Sequence, residues 1–308
     1  KEPNEHGAWP PATPHNDPKY FQGSRKPIPF REHNPYVEAF WEWWPDLYPD
    51  LNHFRMTGGE PMMDKNTYRV FDHVLANPKP DLHLSTTSNF SVDEKLWTKY
   101  LGYVKDICSK DNVEHFMQYV SVDAFGDKAE YIRDGLDFDL LWERVNQFLT
   151  EVPERSSITF IITMNNLNVT SFGNLLAGIN GLRHVYSNTY QRVWFDTPLL
   201  RTPEWQSMQL LPESYCDQLD LIWSWMLKWA ETEETRFKGF KDYEMQRLDR
   251  DITWMRSGQK LDAKYLARQK ADFYKFFTEH DKRRGTDFLK TFPEMKSFWK
   301  ECEQYAKR

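Results

Sequence analysis

Ile158-Thr159-Phe160-Ile161-Ile162-Thr163-Met164 is an apolar and β-branched run without a single charge. That is the composition of a strand covered on both faces, as in a parallel sheet. Working outward, further strand-like runs lie at 54–57, 82–87, 116–122 and 192–197. Helical spacing fills the gaps between them, at 64–76, 94–107, 138–149 and 171–186. In the first of these helices Asp64 stands at the N-cap, and Val70, Phe71, Val74 and Leu75 form the apolar stripe. Five strands alternating with four helices specify an α/β fold with a parallel sheet. Right-handed crossovers allow an open doubly wound sheet or an arc of a barrel.

The flanks read differently. Residues 1–35 carry Pro10, Pro11, Pro14, Pro18, Pro27, Pro29 and Pro35, too many for a long helix or a central strand. Phe40, Trp41, Trp44 and Leu47 then fall at helical spacing within 36–48. After Leu200 no strand is evident, and 212–232, 241–256, 261–280 and 293–305 all read as helices. The expected organisation is an irregular lead-in (1–35), an α/β domain (36–200) and a helical C-terminal extension (201–308).

The chain has 308 residues and a net charge of −6, which gives no support to a nucleic-acid-gripping role. No apolar run reaches the roughly 20 residues of a membrane span. Cys108, Cys216 and Cys302 are far apart, and an odd number does not form a disulfide framework, so a cytoplasmic setting is expected. The chain opens on Lys1 with neither a signal nor a transit peptide, and the expectation is that sequence is missing upstream.

In parallel α/β sheets ligands bind beyond the carboxyl ends of the strands. That directs attention to Gly58-Gly59-Glu60-Pro61, Ser88-Asn89, Ser121 with Asp123, Met164-Asn165, and 196–198. Paired glycines let a ligand approach the main chain closely. Bared carbonyls beside the Glu60 carboxylate suit an ammonium group, a pure donor. The same turn is a poor phosphate cradle, lacking a downstream Lys-Ser/Thr and carrying an acid. Arg133 could take a carboxylate through paired charge-assisted hydrogen bonds. Its plainer reading is an ion pair with Glu130 or Asp134.

Gly58-Gly59-Glu60-Pro61, Thr87-Ser88-Asn89, and Ser121-Val122-Asp123 with Tyr131-Ile132-Arg133, each after successive strands, resemble the radical S-adenosylmethionine enzymes. The resemblance is to the branch related to SPASM and twitch-domain proteins. The segments His280 to Phe288 and Thr291-Phe292-Pro293-Glu294 are similar to the tail of twitch-domain proteins common in phage genomes. The resemblance implies a partial parallel (β/α) barrel of the radical SAM type. It implies that Gly58, Gly59 and Glu60, with Pro61, receive the methionyl ammonium of S-adenosylmethionine, and that Ser121 and Arg133 hold its carboxylate or ribose side. Ser88, Asn89 and Asp123 would line the pocket, and Met164 and Asn165 would pack the adenine. It further implies a [4Fe-4S] cluster generating a 5′-deoxyadenosyl radical, an electron donor for that cluster, and an unidentified substrate. The three-cysteine run that holds the cluster is not in this chain, and the resemblance places it before Lys1. The alternative is a catalytically inactive scaffold of the same type that binds a partner. A plain methyltransferase is a third, weaker reading, since Thr87-Ser88-Asn89 supplies no acid after the second strand.

Trp41-Glu42-Trp43-Trp44 reads as core rather than as a partner surface. Lys282-Arg283-Arg284 reads as a solvated helix end. His6, His15 and Asp17 show no dependable metal-ligand spacing. No Gly-x-Ser-x-Gly, His-Glu-x-x-His or P-loop motif is present.

Overall fold

The computed structural model describes residues 9–11 and 33–308. Most of the proline-rich lead-in, with His6, His15 and Asp17, lies outside the described residues. The chain divides into two compact units. One is Asn52–Leu261; the other joins the chain up to Leu51 with Asp262–Arg308.

The larger unit is built on five strands: β1 (His53–Met56), β2 (Lys79–Ser88), β3 (Val113–Ser121), β4 (Ser156–Ile161) and β5 (Val193–Asp196). All are parallel and lie in sequential order, each paired with its neighbour in the chain. The connecting helices are α2 (Lys65–Ala76), α3 (Glu94–Ser109), α4 (Asp127–Ile132), α5 (Phe138–Glu151) and α6 (Phe172–Tyr186), following α1 (Pro35–Leu47). Acidic side chains start three of them: Asp64 accepts from Asn66 N, Asp93 from Leu96 N and Asp137 from Leu140 N.

One face of the sheet receives these helices. The register puts Phe116 beside Leu84, Gln118 beside Thr86 and Ile158, and Phe160 beside Val120 and Phe195. Phe116 meets Phe71 of α2 and Phe148 of α5, with ring centroids 6.3 Å and 6.5 Å apart. The Gln118 amide oxygen accepts from Tyr100 of α3. Trp142 of α5 stacks on Phe160 at 5.8 Å, and the Arg183 guanidinium of α6 lies 5.7 Å over the Phe195 ring. Alternation therefore sends His115, Met117, Tyr119 and Ser121 to the opposite face.

Two further helices, α7 (Cys216–Lys228) and α8 (Asp242–Ser257), belong to this same unit. The boundary at 200 is therefore not where the compact units divide. The physical reason is a buried ion pair. Arg183 and Glu244 are both fully buried and meet at 2.6 Å, which ties α8 to α6 beneath β5. Arg183 also donates to the carbonyls of Val193 and Gly239.

In the smaller unit Asn34 caps α1, with Pro35 at the first helical position. Trp44 and Tyr48 are buried, but Trp43 is 57 % exposed, so the tryptophan stripe is core only in part. The other helices of this unit are α9 (Ala263–Arg284), α10 (Phe288–Thr291) and α11 (Lys296–Ala306). Phe273, Phe277, Phe288 and Phe298 form their core. The basic triplet at the end of α9 is not uniformly solvated. The Arg283 side chain is buried, bonded to Glu279 at 2.7 Å and lying 4.4 Å from the Trp9 ring. No helix among the described residues is long and apolar enough to cross a membrane.

Candidate functional site at the carboxyl ends of the strands

Because the strands are parallel, all their carboxyl ends lie along one edge of the sheet. Beyond β1 the chain turns at Gly58 (φ +91°) and Gly59 (φ +55°). A Cβ added at either would meet nothing within 4 Å. The backbone angle, not crowding, demands glycine here, and the space beside the turn is open. Among the described residues no backbone hydrogen bond reaches either glycine.

Glu60 then folds back. One carboxylate oxygen accepts from Met62 N at 3.1 Å, capping a short 3-10 turn over Pro61–Met63, and Pro61 is buried. The other accepts from the Ser88 hydroxyl at 2.9 Å. Burial pushes the Glu60 carboxyl above its ordinary value, and the bonds from Met62 and Ser88 pull part of the way back. Ser88 is itself buried and accepts from Phe90 N at 2.9 Å. Asn89 accepts from Ser91 N through its side chain.

Phe90 has φ +60° although it is bulky and only 1 % exposed. A left-handed conformation at such a residue costs roughly 1–3 kcal/mol. Arg144 holds the turn. It donates to the carbonyls of Phe90 and Val92 at 2.5 and 2.7 Å and pairs with Glu94 at 3.0 Å.

The second group lies beyond β3 and β4. Asp123 is buried and accepts from Thr163 N at 2.8 Å. Its other oxygen lies 2.8 Å from Arg133 Nε, an ion contact without the alignment of a hydrogen bond. Arg133 thus pairs with Asp123 rather than with Glu130, whose carboxylate accepts from Phe138 N at the start of α5. A carboxylate ligand would have to share Arg133 with Asp123. Met164 is fully buried and bridges Leu199. Asn165 is spent on its own turn, accepting from Leu167 N and donating to Thr163 O. Asp196 is paired with Arg247 of α8.

All the residues expected at the site therefore lie near one edge, but not all on one face. Ser88 pairs with Val120 in the register, so Ser121, the next residue, points to the opposite side of the sheet. Glu60 and Ser88 are brought together, and so are Asp123 and Arg133. No hydrogen bond or ion pair joins the two groups.

The sequence reading missed the residues on the opposite face: Arg55, Tyr119, and the row His53, His83, His115. The three histidines are register partners across β1, β2 and β3. Their spacing becomes informative only once the strand starts are known. Among the described residues no group of three or more His, Cys, Asp or Glu side chains is arranged to hold a metal ion. Cys108, Cys216 and Cys302 are each free and buried.

Comparison with protein-family models, with curated proteins and with solved structures finds no match to this chain.

Proposed function

We propose that the carboxyl edge of the sheet binds S-adenosylmethionine, in a partial (β/α) barrel of the radical S-adenosylmethionine class. One observation carries the reading. The Gly58-Gly59 turn presents backbone without internal hydrogen bonds beside open space, and Glu60 beneath it is tied to Ser88 at 2.9 Å. Sequential strand order with helices on one face supports an arc of a barrel over a doubly wound sheet.

In this reading the methionyl ammonium donates to the carbonyls of the Gly58-Gly59 turn. The Glu60 carboxylate supplies the compensating charge, and Ser88 orients it. Asp123 and Arg133 meet the carboxylate or ribose side, while Ser121, which faces the opposite side of the sheet from Ser88, is left out of this pocket. A [4Fe-4S] cluster, in that class, supplies the electron that cleaves the cofactor. The residues present do not fit such a cluster: the three cysteines are buried singly, and no metal-holding group is formed among the described residues. That same mismatch favours the second reading, a partner-binding scaffold without catalysis.

Equilibrium dialysis with S-adenosylmethionine tests the proposal. Glu60→Gln should weaken binding by about 1.5–3 kcal/mol, the worth of one charge-assisted partner. Arg133→Ala should weaken it less, because Asp123 already occupies that guanidinium. Absence of binding to the wild-type chain would leave the scaffold reading standing.

A further inference from the structure

A cavity of about 400 Å³ opens on the face of the sheet opposite the helices, within the larger unit. Its walls include His53, Arg55, His83, His115, Met117 and Tyr119, and among the described residues no carboxylate lines it. That is notable in a chain with a net charge of −6. The volume is that of a small-molecule site, for which ~300–1,000 Å³ is usual.

Arg55 is the centre of the argument. Its guanidinium carbon stands 3.7 Å over the Tyr119 ring. Its Nε and Nη2 both point at the Thr87 hydroxyl, at 3.2 and 3.0 Å. Stacking and hydrogen bonding along one edge hold the group in place at the wall of the cavity. Elsewhere in this unit Arg133, Arg144, Arg155, Arg183, Arg247, Arg250 and Arg256 each have a carboxylate partner, Arg192 is spent on the carbonyls of Ser156, Leu149 and Val152, and Arg201 and Arg236 lie over the rings of Trp254 and Phe237. Arg55 has no ion pair among the described residues. A positioned guanidinium without a counter-charge is arranged to receive a planar or tetrahedral oxyanion.

The histidines extend the donor set. His53 and His83 stack at 4.7 Å with nearly parallel rings, and His83 and His115 lie 6.4 Å apart. His115 is held at 2.7 Å from Ser157 Oγ. Ser85 adds a hydroxyl to the wall. Imidazole, guanidinium and hydroxyl donors spread around one space suit the three terminal oxygens of a phosphate monoester better than the two oxygens of a carboxylate. Met117 and the Tyr119 ring offer apolar surface for the remainder of such a ligand.

We propose that this cavity binds the phosphate group of a small phosphomonoester, with Arg55 as principal anchor and His53 and His83 as supporting donors. The inference is independent of S-adenosylmethionine binding, since none of the residues assigned to the cofactor lines the cavity.

The probes are phenyl phosphate, inorganic phosphate and benzoate, titrated calorimetrically into the intact chain. Phenyl phosphate should bind measurably, inorganic phosphate more weakly and benzoate weakest. Arg55→Gln should lower phenyl phosphate affinity about tenfold or more. Arg55→Lys, which keeps the charge but loses the planar fork, should also lose affinity. As a readout that does not depend on a variant, the imidazole C2–H resonances of His53 and His83 should shift on titration, while that of exposed His184 should not. The proposal is overturned if the wild-type chain binds no phenyl phosphate, if benzoate binds as tightly, or if Arg55→Gln leaves affinity unchanged.

Discussion

Lowering the pH should destabilise this protein through His115, and the structure gives the size of the effect. The ring lies between β3 and β4, 2.7 Å from Ser157 Oγ. Burial, then the neighbouring His83, then Arg192 push its pKa from 6.5 down to about 4. An unfolded chain therefore takes up a proton near the ordinary value, and the folded chain refuses it until the pH is much lower. The stabilisation is fully present above 6.5 and is lost as the pH falls towards about 4. At ~1.4 kcal/mol per pH unit this amounts to about 3 kcal/mol, reduced to about 2 kcal/mol by residual solvent at a half-buried ring. His115→Gln keeps a side chain able to bond Ser157 but removes the titration. Urea unfolding, followed by tryptophan fluorescence at a series of pH values, measures the difference. The wild-type chain should lose about 2 kcal/mol more than the variant between pH ~7 and ~4.5. Equal losses in the two proteins would refute the assignment of a neutral, desolvated imidazole at this position.

Gly59→Ala should destabilise by about 1 kcal/mol through its backbone angle alone, since a methyl group meets no neighbour there, and thermal unfolding will show it. Arg183→Met should cost about 3–5 kcal/mol by stranding the buried Glu244 charge. Adding Glu244→Leu to that variant should recover much of the loss in the same denaturation assay. Arg144→Ala removes the donors to the buried Phe90 carbonyl and the part-buried Val92 carbonyl and should cost about 2–4 kcal/mol. Hydrogen exchange should then show the 88–93 turn opening well before the sheet.

The strands and most helices were legible because their signals are local. The apolar run around Ile158 needs no knowledge of the rest of the chain, and Asp64 marks a helix start by side-chain chemistry alone; Asp93 and Asp137 do the same, though the sequence reading did not single them out. The short α4 was not anticipated: it begins after Gly126, which has no capping side chain. The grouping of Glu60 with Ser88 follows from adjacent parallel strands, and so does that of Asp123 with Thr163. What could not be read was facing. Whether Ser88 and Ser121 share a side depends on register, and a one-residue difference reverses the answer. The same limit hid His53, His83 and His115, whose alignment exists only across paired strands. The join between the start of the chain and Asp262–Arg308 is likewise a tertiary fact without a local signature.

The two units differ in when they can form during synthesis. Every strand of the sheet pairs with the strand made just before it, so the larger unit can grow one strand and helix at a time as the chain emerges. The smaller unit has no such opportunity. Its helix α1 precedes the sheet in the chain, and α9, α10 and α11 follow it. Throughout translation of the intervening sheet, Trp41, Trp43 and Trp44 wait without their unit. The nascent chain thus carries this aromatic segment until residues 262–308 are made, and a chain that stalls before Asp262 leaves it without the rest of its unit.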